Sequence, residues 1–325
     1  MPPSFRSAYK IVGDCTIFAD VYTPTALSSD RRQYPVGKRI IPLIIHGGAF
    51  VLGHSAMVSA VQVQDCQERG WIVVSLEHRL CPQVDILEGP ITDCRDALEW
   101  VYDGGLDQEL LKHDSTATFA VDCDRVVAIG TSSGGTLALA LGFNVKRPVA
   151  AILDFYGATN FSDPFWSSPL STEKAPNVPL EFINQVYAEK PVPIRGGVSL
   201  EGQAEEGKPP PLGPRPAFAF THIANGTLMD VCFPSKEFQK IDACLNIHQD
   251  FPPTCIVHGS ADTKVPIFLS RALQRALQKA EVKCEFVEVP SEEHTFVGKM
   301  KKGSKTWDLQ RTGFDFLQVE ITKNG

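Results

Sequence analysis

No apolar run in this 325-residue chain exceeds strand length, so the sequence predicts no membrane-spanning helix. Excess positive charge is missing too. The 31 Lys and Arg against 38 Asp and Glu give a formal net charge of −7, which excludes a basic footprint for nucleic acid or an anionic membrane surface. Neither end reads as an address. Met1 to Lys10 holds no apolar core of signal-peptide length, and the closing Lys-Asn-Gly matches no targeting signal, so a cytoplasmic location is the expectation. The 9 cysteines are odd in number, contain no Cys-x-x-Cys pair and fall partly inside apolar runs, as Cys255 does in Thr-Cys-Ile-Val. They read as free thiols in a reducing compartment rather than a disulfide frame. The 8 histidines lack His-x-x-x-His spacing and no cysteine cluster joins them, so no metal is expected. No cofactor is expected either, and no internal repeat is present.

The most informative stretch is Arg125 to Leu141. A β-type run, Val126 to Ile129, stops at Gly130, and good helix formers follow from Thr136. Between them Gly130-Thr131-Ser132-Ser133-Gly134 fits Gly-x-Ser-x-Gly. A strand that turns at once into a helix forces its central residue into a strained conformation, which only small neighbours permit. That turn exposes the Ser132 hydroxyl and leaves the Ser133 N–H at a helix start, where negative charge is favoured.

The rest of the chain supplies strands and helices in alternation. Tyr9 to Val12 and Thr16 to Tyr22 read as an entry hairpin around Gly13-Asp14. Ile40 to Ile45, Trp71 to Leu76 and Ala150 to Phe155 read as strands buried on both faces, with helical segments near 57–69 and 92–103 between them. After a proline-rich stretch, Cys255 to His258, a helix from Pro266 to Ala280, Cys284 to Val289 and a helix from Trp307 to Ile321 resume the alternation. This order predicts an α/β fold with a mostly parallel central sheet flanked by helices. A structureless loop as long as 158–250 is improbable inside a compact domain, so an inserted lid is expected there, with an irregular arm at 208–216. The predicted organisation is a first core part at 1–157, a lid at 158–250 and a second core part at 251–325.

A serine hydroxyl needs a base, and the base needs an orienting group. Asp262 follows the strand at 255–258, and His294 follows the strand at 284–289. The order Ser132, Asp262, His294 is the one an α/β-hydrolase arrangement requires, and both partners sit at strand ends on the serine's edge of the sheet. Asp154 is the alternative acid. A developing oxyanion needs donors, and His46-Gly47-Gly48-Ala49 lies after an early strand, where glycines let backbone N–H groups turn inward. Gly48, Ala49 and Ser133 are the candidate donors.

His46-Gly-Gly-Ala-Phe50, Glu77-His-Arg-Leu-Cys-Pro82, Gly130-Thr-Ser-Ser-Gly-Gly135 and His258-Gly-Ser-Ala-Asp-Thr-Lys-Val-Pro266 together resemble the hormone-sensitive-lipase-like branch of the α/β-hydrolases. The resemblance covers 40–157 and 251–297 and hardly touches the lid. It implies Ser132, Asp262 and His294 as the triad, with oxyanion donors from Gly48, Ala49 and Ser133. Departures are Ala49 where a third glycine is common, as in arylformamidase-like and feruloyl-esterase-like relatives, Thr131 and Ser133 beside the nucleophile, and Gln83 where glutamate is usual. Asn225 to Asp230 is similar to fungal hydrolases, some of which serve secondary metabolism. The resemblance implies a serine hydrolase acting on a small-molecule ester, thioester or lactone. An acyltransferase or product-releasing hydrolase, an arylformamidase or peptidase, and a non-catalytic receptor are the competing readings. Contact with an acyl carrier or a second copy stays open.

Overall fold

The computed structural model describes residues 1–24, 37–113, 120–197 and 212–323. Its strands are β1 (Phe5–Val12), β2 (Cys15–Tyr22), β3 (Lys38–Ile45), β4 (Val73–Leu76), β5 (Ala120–Thr131), β6 (Ile152–Phe155), β7 (Thr254–Gly259) and β8 (Cys284–Val289). They form one 8-stranded sheet in the order β1-β2-β4-β3-β5-β6-β7-β8. β1, β2 and β4 pair antiparallel, and every later pair is parallel. The expected α/β-hydrolase architecture is therefore the one observed.

The double-sided burial of the central strands explains their unbroken apolar runs. Alternate residues go to opposite faces. Ile41, Leu43, Ile45, Val126, Ala128 and Ile256 enter one apolar cluster, while Ile40, Ile44, Val127, Ile129, Cys255 and Val257 enter the other. Helices Thr92–Tyr102, Ser133–Leu139 and Ile267–Lys279 contribute Leu98, Leu137 and Leu273 to the first face. The closing helix Lys305–Lys323 contributes Phe314, Leu317 and Ile321 to the second. Ile183, Val186, Phe218, Met229 and Phe233, from the expected lid, join the first cluster and are buried with it.

Chain order fixes where a site can form. From β3 the chain moves to β4 on one side, then crosses back to place β5 on the other. The carboxyl ends of β3 and β5 flank this reversal, the point at which open α/β sheets leave a crevice. The loops from His46 and from Ser132 leave from those two ends.

The segment 208–216 lies outside the described residues as far as residue 211; from Pro214 the chain is a helix, Pro214–Ala224, with proline at its start. Helix Gly105–His113 was not expected from the sequence. All nine thiols are free. Among the described residues no helix is long and apolar enough to cross a membrane.

Candidate active site

Ser132 sits between β5 and the helix Ser133–Leu139 with φ 55° and ψ −125°, a conformation that its neighbours enforce. A Cβ on Gly130 would stand 2.0 Å from the Gly134 carbonyl oxygen, and one on Gly134 would stand 2.2 Å from that of Ile45. Both positions admit only glycine without rearrangement. The Ser132 hydroxyl lies 2.8 Å from His294 Nε2, and His294 Nδ1 lies 2.6 Å from Asp262 Oδ2. All three are buried, and the edge of the Tyr156 ring packs on the imidazole at 4.9 Å between centroids.

Asp262 is held from several directions. Its Oδ1 accepts the backbone N–H groups of Lys264 and Val265, both at 2.9 Å. Its Oδ2 also meets His258 Nε2 at 3.1 Å. That nitrogen donates to the Val265 carbonyl at 2.8 Å, and a carbonyl can only accept, so His258 carries its proton on Nε2 and takes the Ser270 hydroxyl on Nδ1 at 2.8 Å. Burial opposes ionisation of Asp262, but the positive charge His294 can carry and the hydrogen bonds from His258 and His294 outweigh it and hold the carboxyl well below the usual carboxylate range.

Asp154 is not brought to His294. It is fully buried on β6, against the backbone of Gly135 and Gly157. Neither oxygen has a well-aligned hydrogen bond, and burial pushes the carboxyl up to about 7, with the Gly157 amide only partly offsetting it.

After β3 the chain makes a tight turn closed by Val51 N–H to the Gly48 carbonyl at 3.0 Å. Gly48, Ala49 and Phe50 all have positive φ, at 125°, 55° and 64°. Left-handed backbone costs a non-glycine residue about 1–2 kcal/mol, so Ala49 and Phe50 make this a strained turn. It is braced from outside. The Phe50 carbonyl accepts Cys81 N–H at 2.9 Å, and the Val51 carbonyl accepts the buried Arg215 guanidinium, also at 2.9 Å. Hydrogen bonds from charged donors contribute about 1.5–3 kcal/mol each, comparable to the strain. Among the described residues the Ala49 and Ser133 N–H groups donate to no protein acceptor.

Behind this loop His46 and His78 stack at 4.6 Å; burial pushes them down to about 4 and about 3, so both are neutral at pH 7. Arg79 pairs with Asp93 through Nη2 at 2.8 Å and fixes the loop after β4.

A cavity of about 200 Å³ opens onto Ser132. Ala49, Ser133 and His294 line it beside Ser132; Phe50, Phe165, Trp166, Phe220, Leu228 and Met229 form an apolar wall; Glu173, Lys174, His222 and Lys264 add charge and polarity. Of the segment's aromatic residues, Phe218 does not line the cavity, because its side of the helix Pro214–Ala224 is buried in the core, where its ring meets Tyr187 edge to face. Phe182 packs against the same core.

Two family models match separate stretches of the chain. A model described as the alpha/beta hydrolase fold matches residues 43–189, and a prolyl oligopeptidase family model matches residues 220–324. The chain is an α/β-hydrolase. The first match fits the hormone-sensitive-lipase-like branch that its motifs resemble. Over 349 residues this α/β-hydrolase is 28% identical to the non-reducing polyketide synthase prhL of Penicillium brasilianum, covering 95% of the chain and 14% of that protein. It is 30% identical over 345 residues to the non-reducing polyketide synthase mapC of Penicillium brevicompactum, covering 93% of the chain and 13% of that protein. The chain thus spans only a small part of the length of these curated relatives. An esterase of Thermogutta terrifontis in its butyrate-bound form superposes with a TM-score of 0.61 at 18% identity, over 100% of this chain and 95% of that one, a likeness of fold.

Two features of the hydrolase site escaped sequence reasoning. His258 read as the end of a strand, although its spacing of four residues from Asp262 was a signal that the two share one turn. Arg215 gave no signal, because its acceptors are carbonyls far away in sequence.

Proposed function

We propose that this α/β-hydrolase is a serine hydrolase that cleaves a carboxylic ester, thioester or lactone of a small molecule through an acyl-enzyme on Ser132. The observation that carries the reading is the hydrogen-bonded chain Ser132–His294–Asp262, opening onto a largely apolar cavity. In this reading His294 Nε2 takes the hydroxyl proton as Ser132 Oγ attacks the acyl carbon. Negative charge moves to the acyl oxygen, where the N–H groups of Gly48, Ala49 and Ser133 receive it. The imidazolium gives its proton to the departing oxygen or sulfur, and Asp262 stays ionised throughout, holding the ring. Water, deprotonated by His294, then frees the acid by the reverse sequence. Residues 158–250 act as the lid that selects the acyl group.

Similarity over nearly the whole chain to parts of non-reducing polyketide synthases supports a narrower version. There the acyl group is a polyketide chain delivered as a thioester, and water or a hydroxyl of the chain itself resolves the acyl-enzyme.

A fluorophosphonate probe tests the common core of both. It should label Ser132, and p-nitrophenyl acetate should give a burst that Ser132→Ala abolishes; labelling that survives Ser132→Ala would sink both versions. Acyl thioesters of N-acetylcysteamine with and without a terminal hydroxyl, with products identified as acid or lactone, separate the two fates.

A further inference from the structure

Arg215 takes part in none of the steps above, yet it is only 5% exposed and spends its hydrogen bonds on the oxyanion loop and its support. Nη1 donates to the carbonyls of Val51 at 2.9 Å and Cys81 at 2.7 Å. Nη2 donates to Gln83 Oε1 at 2.8 Å and to Glu189 Oε2 at 2.6 Å, and Nε donates to Glu189 Oε2 at 2.8 Å. The guanidinium therefore ties three segments into one unit: the loop after β3, the loop after β4 and the residues near Glu189.

The loop after β3 needs such a tie. Ala49 and Phe50 occupy left-handed positions that neither side chain favours, and contacts from outside add to the turn's own Val51 and Leu52 N–H bonds to the Gly48 carbonyl in holding them there. Cys81 N–H fixes the Phe50 carbonyl, and Arg215 fixes both the next carbonyl and Cys81 itself. Without the guanidinium the turn is free to relax toward ordinary backbone, which rotates the Ala49 N–H away from the cavity. The helix that carries Arg215 also places Phe220, His222 and Ile223 in the cavity wall. One rigid element therefore touches the acyl pocket on one side and braces the oxyanion loop on the other.

We propose that Arg215 is a positioning residue for the oxyanion hole, and that it couples the acyl-binding wall of the insertion to the donors that stabilise the transition state. The inference rests on the serine hydrolase reading. It predicts a loss in kcat rather than in KM, because the oxyanion exists only after attack.

The test uses the full chain, with active sites counted by exhaustive fluorophosphonate labelling. Arg215→Ala should lower kcat per labelled site for p-nitrophenyl acetate by about 10²-fold, the order seen when one oxyanion donor is lost. KM should change less than about threefold, affinity for a trifluoromethyl ketone should fall in parallel with kcat, and added methylguanidinium should restore part of the rate. A folded Arg215→Ala with wild-type kcat per labelled site, or a loss confined to thermal stability, overturns the inference. Where Arg215→Ala does not fold, Arg215→Lys decides: one ammonium nitrogen with three donors cannot hold both carbonyls and also span to Gln83 and Glu189 as the five-bond guanidinium does, so kcat should fall about tenfold. Wild-type kcat in Arg215→Lys then overturns it. Failure of the underlying reading looks different, because the wild type itself would then leave Ser132 unlabelled.

Discussion

Two carboxylates near the candidate nucleophile have opposite environments, and each environment makes a prediction. Asp262 accepts four hydrogen bonds and is held ionised, which suits a group that orients an imidazole. Asp262→Asn keeps the shape but offers an amide N–H or the wrong acceptor to His294. Turnover should drop on the order of 10⁴-fold with little change in folding, as expected when the imidazole tautomer is lost. Steady-state kinetics on p-nitrophenyl acetate checks this, and an active Asp262→Asn beside an inactive Asp154→Asn would transfer the role to β6. Asp154 is buried without well-aligned partners and raised to about 7, whereas an unfolded aspartate ionises near ~4. Its folded form therefore holds a proton that the unfolded chain has already lost. The stability it contributes is complete below about pH 4 and is lost as pH rises towards 7, at about 1.4 kcal/mol per unit. Asp154→Asn should flatten that slope in urea titrations between pH 5 and 7. An unchanged slope in the variant would assign it to other groups.

At the scale of elements, the turn around Ser132 is the tightest joint in the chain. Gly134→Ala would drive a methyl group to 2.2 Å from the backbone of β3, and no flexible side chain is there to give way. It should cost about 3 kcal/mol or more, beyond ordinary overpacking. Gly13→Ala, with φ of 58° and nothing within 4 Å, carries only the backbone strain of about 1–2 kcal/mol. Chemical denaturation of the two variants should show that ranking, and equal losses would mean that the turn is looser than described. This joint was legible in the sequence because a glycine pattern, a β-branched run and a helix former each point to one geometry. The parallel strands were legible for a related reason: burial on both faces leaves unbroken runs such as Ile40 to Ile45. Helix Gly105–His113 was not, since it begins straight after Gly104 at φ 82° with no polar cap to announce it. The helix carrying Arg215 was hidden among prolines that read as an arm, although Pro214 and Pro216 lie in its first turn, where proline lacks no needed donor. Side chains that work on distant carbonyls leave no local pattern at all. Arg215 and Val51 are 164 residues apart.

For the molecule as a whole, the order of strands brings the loops after β3 and β5 together, and β7 and β8 deliver Asp262 and His294 to the same edge. The segment between β6 and β7 leaves from that edge, and its Phe165, Trp166 and Phe220 line the cavity beside Ser132. Trp166→Ala should therefore spare kcat/KM for an acetate ester and lower it for a bulky aryl ester by tenfold or more, about 1.4 kcal/mol in transition-state binding. Equal changes for both esters would remove the insertion from substrate selection. The kinetic expectations depend on one covalent bond. Rapid quenching of the enzyme with a p-nitrophenyl ester during the burst, followed by peptide mass spectrometry, looks for that bond directly. The account predicts one acyl group on the peptide containing Ser132, appearing with the burst, decaying at the steady-state rate and absent from Ser132→Ala. Turnover at the wild-type rate in Ser132→Ala, or an acyl group that matures on a different residue, would contradict it.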